Sequence, residues 1–206
     1  MIITPIIMES EVEVVKRKIE VLRRRGVRRV QFDIGDGLFS DWLGVSPSDL
    51  MELDVGGLEV DIHLMVDDPV EWIEECVALL PKRVIAQIER MGSQTMFIET
   101  IRSYQKDVET GLALMIDTPI ASIEKEALKK ASVVLLLAVP AGTSGSKFDD
   151  RVIEKICQLR KIYKGNIMID GGINGETMKQ VEKVGADEVA INSYYWRKIN
   201  EQNTKI

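Results

Sequence analysis

Histidine is nearly absent from this chain of 206 residues: one, His63, stands against 33 acids and 27 lysines and arginines. Any imidazole chemistry therefore rests on a single side chain. Cysteine is almost as scarce. Cys76 and Cys157 lie far apart on helical patterns, fit no metal-ligand spacing and offer no disulfide framework. No apolar run reaches membrane-spanning length, and the opening MIITPIIM lacks the basic region of a targeting segment, so a cytoplasmic protein without a membrane partner is expected. Positive charge is in deficit, with a formal net charge of −6 and a pI near 5.1. Without a broad basic field, nucleic acid is not an expected partner. The one basic cluster, RRRGVRR at 23–29, ends an amphipathic helical pattern, where cations complement the helix dipole. Aromatic residues make up 5%, and Trp42, Trp72 and Trp196 are expected to cover rim or helices rather than stack on a ligand.

What is present is a regular alternation. β-rich runs at 2–8, 28–35, 58–65, 82–89, 110–116, 132–140, 165–170 and 186–192 are separated by helix-period stretches or loops. The first helix, 10–26, has Ser10 as its expected cap, and 68–80 opens a helix with Pro69 in its first turn. Further helices are expected near 94–105, 119–130, 149–163 and 174–184. Eight strand–helix units in this length predict a (β/α)8 TIM barrel, an α/β fold, as a single domain over 1–206. A doubly wound open sheet is the alternative, but no strand–turn–helix carries GxGxxG. The polar tail, 197–206, is expected to form a short helix that frays and offers a surface for a homo-oligomer.

In a barrel, one parity of each strand faces the helices and the other faces the interior. Parity sends Gln31 and Asp33 inward on the second strand, Asp61, His63 and Met65 on the third, and Met168 and Asp170 on the seventh. A carboxylate in such a place is costly unless paired or bound to a cation. Two chemistries fit the convergence of Asp33, His63 and Asp170. The three can hold a divalent cation, with Gln31 as a candidate neutral oxygen donor. Alternatively, Asp33 and Asp170 can exchange a proton at carbon from opposite sides of a substrate. The two are compatible, since a metal that polarises a carbonyl stabilises the enediolate left by proton removal.

The loops after the last three strands are rich in small residues: PAGTSGSKF at 140–148, DGGINGET at 170–177 and Asn192–Ser193. Glycine turns at helix starts present backbone N–H groups to anions, and barrels often bind phosphate after strands seven and eight.

Several segments carry a likeness to a known family. QFDIGDG, DIHLMVDDP, GLALMIDTP, AVPAGTSGSKF, IDGGIN and GADEVAINS resemble segments of the ribulose-phosphate 3-epimerase family, and DIHLMV and DGGIN fall in order and on the right strands. The resemblance implies a barrel that inverts one carbon of a small phosphorylated sugar, with Asp33 and Asp170 as the acid/base pair. It implies a divalent metal cation (zinc, iron, manganese or cobalt) on Asp33, His63 and Asp170, with Gln31 where the family has its fourth ligand, a histidine. Substrate contacts implied are Met65, Gly142, Thr143, Ser144, Gly145, Gly171, Gly172, Asn192 and Ser193. The chain also departs from the pattern. Gly35 and Leu137 replace methionines, Gln87 replaces a histidine, Ile6 replaces a serine, and Asn192 replaces a glycine. Two alternatives follow from these changes: another enolate chemistry on the same barrel, of decarboxylase or aldolase type, or a non-catalytic sugar-phosphate-binding protein.

Overall fold

Residues 1–203 are described by the computed structural model. Eight parallel strands close on themselves in chain order: β1 (Ile2–Ile7), β2 (Arg29–Gly35), β3 (Glu59–Met65), β4 (Arg83–Gln87), β5 (Glu109–Leu114), β6 (Val133–Leu137), β7 (Asn166–Asp170) and β8 (Glu188–Ile191). Between and after them lie α1 (Val12–Arg24), α2 (Pro47–Met51), α3 (Ile73–Ala78), α4 (Gln94–Tyr104), α5 (Lys125–Lys130), α6 (Arg151–Ile162), α7 (Gly175–Lys183) and α8 (Ser193–Asn203). This is the expected (β/α)8 barrel. Among the described residues, no helix is long and apolar enough to cross a membrane.

Period-two alternation splits the apolar residues into two cores. Outward rows such as Val30, Phe32 and Ile34 on β2 or Val60, Ile62 and Leu64 on β3 join helix residues such as Val15, Ile19 and Leu22 of α1. The barrel interior holds Ile6, Ile85, Ala113, Val133, Leu135, Leu137, Met168 and Ala190. Fully burying one such aliphatic side chain contributes ~1.5–3 kcal/mol, so both layers are needed to offset chain entropy. The lower end of the barrel, where strands begin, is closed by charge. Arg83 is 1% exposed and bonds Glu188 through two nitrogens (2.8 and 3.1 Å) and Glu109 (3.0 Å). Arg29 clamps the buried Asp61 at 2.9–3.1 Å, and Asp61 lies 3.8 Å from Arg83.

Several local expectations are corrected. The N-cap of α1 is Glu11, without a side-chain cap bond. Ser10 instead donates its hydroxyl to the Leu43 carbonyl, tying the first loop to the loop after β2. The helix expected from 68 begins only at Ile73, because the Asp68 carboxylate accepts from Val70 N and the chain first makes tight turns through Pro69. The helix expected over 119–130 breaks into a 3-10 turn (Ile120–Ser122) and α5. Glu124 is extended between them, and its carboxylate accepts from Gln94 N, Thr95 N and Thr95 Oγ1 at the start of α4. The tail does form the short helix expected of it, as part of α8 as far as Asn203; residues 204–206 lie outside the described residues.

Candidate active site

Asp33 and His63 are register partners on β2 and β3, and Asp170 is the last residue of β7. All three point into the barrel at its upper mouth. His63 Nδ1 lies 3.2 Å from Asp33 Oδ1 and 3.8 Å from Asp170 Oδ2. One ligand atom from each residue falls within 4.8 Å of the others, a spacing that can hold one metal ion. Gln31, one inward position below Asp33, donates its amide to both acids, at 2.8 Å to Asp33 Oδ1 and 3.1 Å to Asp170 Oδ2. Its carbonyl oxygen is buried without a hydrogen-bond partner.

The electrostatics follow from burial and crowding. Burial pushes the Asp170 carboxyl up to about 7, helped by the negative charge of Asp33 and opposed by His63 and the Gln31 amide. For His63, burial opposes protonation, but the hydrogen bond to Asp33 and the charges of Asp33 and Asp170 outweigh it, so its pKa is raised.

Gln87 completes the cluster from the end of β4. Oriented to satisfy its neighbours, its amide donates to Ala113 O (3.3 Å) and Glu89 Oε2 (3.0 Å) and accepts from His63 Nε2 at 3.1 Å. Glu89 is itself held by Met115 N and Thr118 Oγ1. This arrangement keeps a proton on Nε2 and turns Nδ1 toward the two carboxylates. A lone pair facing two anions calls for a cation between them, either a proton or a metal. With its amide turned over, Gln31 would present its unpartnered oxygen to the same point. The donor set therefore fits a divalent cation.

Above the acids lies a cleft of about 30 Å³, lined by Asp33, Asp170 and the expected Thr143, Ser144, Gly145, Gly171, Gly172, Asn192 and Ser193. Ile6, which stands where the family has a serine, completes the lining with Met8, Val139, Ser146, Ile173 and Ala190, none of which the sequence pattern marks. Gly171 and Gly172 adopt positive φ of 98° and 65°, which a side chain would strain. Asn192 Nδ2 donates to Ser144 Oγ at 3.1 Å and pins the β6 loop over the cleft. The first amides of α7 are already taken, because Asn174 Oδ1 accepts from Glu176 N and Thr177 N. Gly142 lies further out, against the loop after β2, and Met65 is buried at the top of β3. Asp36 shapes its loop, accepting from Leu38, Phe39 and Asp67 N at 2.7–2.9 Å. Inward parity with Arg83 and Ile85 marks Gln87 as facing the interior; no sequence signal marks its bond to His63.

A model described as the ribulose-phosphate 3 epimerase family matches residues 2–196. Ribulose-phosphate 3-epimerase of Treponema pallidum is 28% identical over 94% of this chain and 90% of its own length. That of Aquifex aeolicus is 27% identical over 93% and 88%. Among solved structures, N-acetylmannosamine-6-phosphate 2-epimerase from Clostridium perfringens superposes with a TM-score of 0.67 at 12% identity, covering 99% of this chain and 92% of that one. Tryptophan synthase alpha-subunit from Pyrococcus furiosus gives 0.66 at 13% identity, over 97% and 90%. At these identities the structural likenesses speak to the fold alone.

Proposed function

Because this chain belongs to the ribulose-phosphate 3-epimerase family, we propose that it inverts the carbon next to the carbonyl of a small ketose phosphate. The observation that carries this reading is the meeting of Asp33, His63 and Asp170 within 4.8 Å at one barrel mouth.

One acid withdraws the α-proton from one face of the substrate carbon; the other returns a proton to the opposite face. Asp170, with its pKa raised to about 7, carries a proton over the pH range where it can also give one up. Asp33 takes the complementary role, and the roles exchange in the reverse direction. His63, fixed by Gln87, presents Nδ1 to the centre. Asp33, His63, Asp170 and the turned amide of Gln31 would hold a first-row divalent cation such as manganese, iron, cobalt or zinc, a choice supported by the oxygen-rich donor set. Bound there, the ion would polarise the ketone oxygen and offset charge developing on it. The phosphate would meet the Gly171–Gly172 turn and the start of α8 at Ser193, since α7 has spent its first amides on Asn174. Free Cys76 and Cys157 support a reducing, cytoplasmic setting.

The test is incubation with ribulose 5-phosphate in heavy water with and without added divalent cation. Inversion at C3 with solvent deuterium incorporated there is expected, lost in Asp33→Asn and in Asp170→Asn. Binding of the sugar phosphate without exchange of that proton would identify a binding protein instead. Turnover that persists in both variants would refute the two-acid mechanism.

A further inference from the structure

The loop after β2 folds back over the site as an antiparallel flap. Asp36 and Leu43 form a bridge, Gly37 N donates to Trp42 O (3.2 Å) and Gly44 N donates to Gly35 O (2.9 Å). Its base is tied down by Val45 N to Glu9 O at 3.0 Å. Within the flap the indole of Trp42 is seated between two glycines. A Cβ on Gly35 would lie 2.5 Å from Trp42 Cε3, and one on Gly44 would lie 2.5 Å from Cη2. Neither glycine has a positive φ, so each is small for want of room: the ring alone crowds Gly44, and the ring together with the Trp42 carbonyl oxygen, 2.7 Å from such a Cβ, crowds Gly35.

Gly35 shares inward parity with Gln31 and Asp33 and pairs with Met65. The ring therefore occupies the inward place directly above Asp33, about 7 Å further up the strand. Across the mouth, a side chain on Gly142 would collide with Ser40 Oγ and lie 3.0 Å from Trp42 Cβ. Ser40 Oγ is buried there without a partner. The flap thus reaches from β2 to the β6 loop and roofs the acids.

We propose that Trp42 sets the length of substrate the site accepts, its indole packing against the carbon end remote from the phosphate. This inference rests on the epimerase reading for the identity of the ligand. The glycine turn and Ser193 that line the cleft lie after β7 and β8, whereas the Trp42 ring stands against Gly35 at the end of β2. A ketose phosphate anchored at the first and spanning the acids ends at the ring. An indole is rigid and cannot retreat while it is wedged between two backbones, so one extra carbon has no place to go. The same ring excludes water from the carbon that exchanges its proton.

Two measurements test this. In protein labelled with 5-fluorotryptophan, the Trp42 fluorine resonance, assigned with Trp42→Phe, is expected to move on addition of xylitol 5-phosphate, which has no carbonyl to react. Inorganic phosphate alone is expected to leave it in place. In kinetics, Trp42→Ala is expected to raise kcat/KM for a 2-ketohexose 6-phosphate relative to a 2-ketopentose 5-phosphate by about tenfold or more, the scale on which a pocket discriminates one carbon. Trp42→Phe is expected to give an intermediate ratio, and it carries the kinetic test should the alanine variant fail to fold. A Trp42 resonance indifferent to xylitol 5-phosphate, or an unchanged ratio in a folded variant, would overturn the proposal. A responsive resonance with no turnover of either sugar would leave the Trp42 contact standing and remove the epimerase reading. Turnover with a silent resonance would do the reverse.

Discussion

Asp170→Asn should make the metal-free protein more stable at alkaline pH while abolishing proton transfer. Asp170 titrates near 3.8 in an unconstrained chain and near 7 in the fold, because burial and Asp33 disfavour its charge. The folded state therefore holds a proton that the unfolded state releases, and stability is present below about pH 4 and lost as pH rises through 7. At ~1.4 kcal/mol per pH unit, that displacement is worth about 4 kcal/mol in full. His63 acts in the same sense. Its pKa is raised in the fold, so its contribution, present below its unfolded pKa, is lost as pH rises through the folded value. An asparagine at 170 keeps an oxygen for Gln31 Nε2 and carries no charge, so it escapes the Asp170 loss. Urea denaturation in chelator should show the wild type losing about 3 kcal/mol relative to Asp170→Asn between about pH 4.5 and 7.5. A divalent cation should shrink that loss by binding the carboxylates together. Parallel pH–stability curves for the two proteins in chelator would refute the reasoning, since they would mean that Asp170 is not held near a like charge in a dry site.

Other perturbations follow from the packing. Arg83→Met strands Glu188, which is 0% exposed, and should cost ~3–5 kcal/mol by urea denaturation, with Glu188→Gln in the same chain recovering part of it. Gly35→Ala sets a methyl 2.5 Å from Trp42 Cε3 and should cost ~1–3 kcal/mol. In a Trp42→Ala background the part of the cost due to the ring should disappear, while the 2.7 Å approach to the residue 42 carbonyl oxygen remains, and a double-mutant cycle without coupling would show that the ring is not seated there. Asn192→Gly frees Ser144 from its hydrogen bond and should strengthen binding of inorganic phosphate by roughly two- to tenfold in a calorimetric titration, matching one bond of ~0.5–1.5 kcal/mol.

The meeting of Asp33, His63 and Asp170 was legible because strand parity is a strict two-residue rule, and three strands each offered a polar residue of inward parity close to the upper end. The glycine turn at Gly171 and Gly172 was legible for a similar reason, since it follows a strand and precedes a helix. Trp42 was not. It lies in a flap with no period, and its seat depends on Gly35 and Gly44 approaching from either side. The floor of the barrel was also hidden. Arg29, Arg83, Glu109 and Glu188 begin or nearly begin their strands, where charge ordinarily meets water, and only the inter-strand register brings them together. Ser10 had the chemistry of a cap but lies one residue before the N-cap and gives its hydroxyl proton to a neighbouring loop, and Glu124, at the N-cap position of α5, turns its carboxylate to the start of α4. In each case a tertiary partner outcompeted the local preference.

The ionic floor has a consequence for traffic. With Arg83 and its carboxylates plugging one end and Val133, Leu135 and Met168 filling the bore, the barrel is a blind well. Sugar, solvent and exchanged hydrons all share one doorway, the one spanned by the Trp42 flap and the Asn192–Ser144 clasp. How often that doorway opens relative to each chemical event then decides whether an abstracted hydron returns to its own substrate or is first diluted into the solvent.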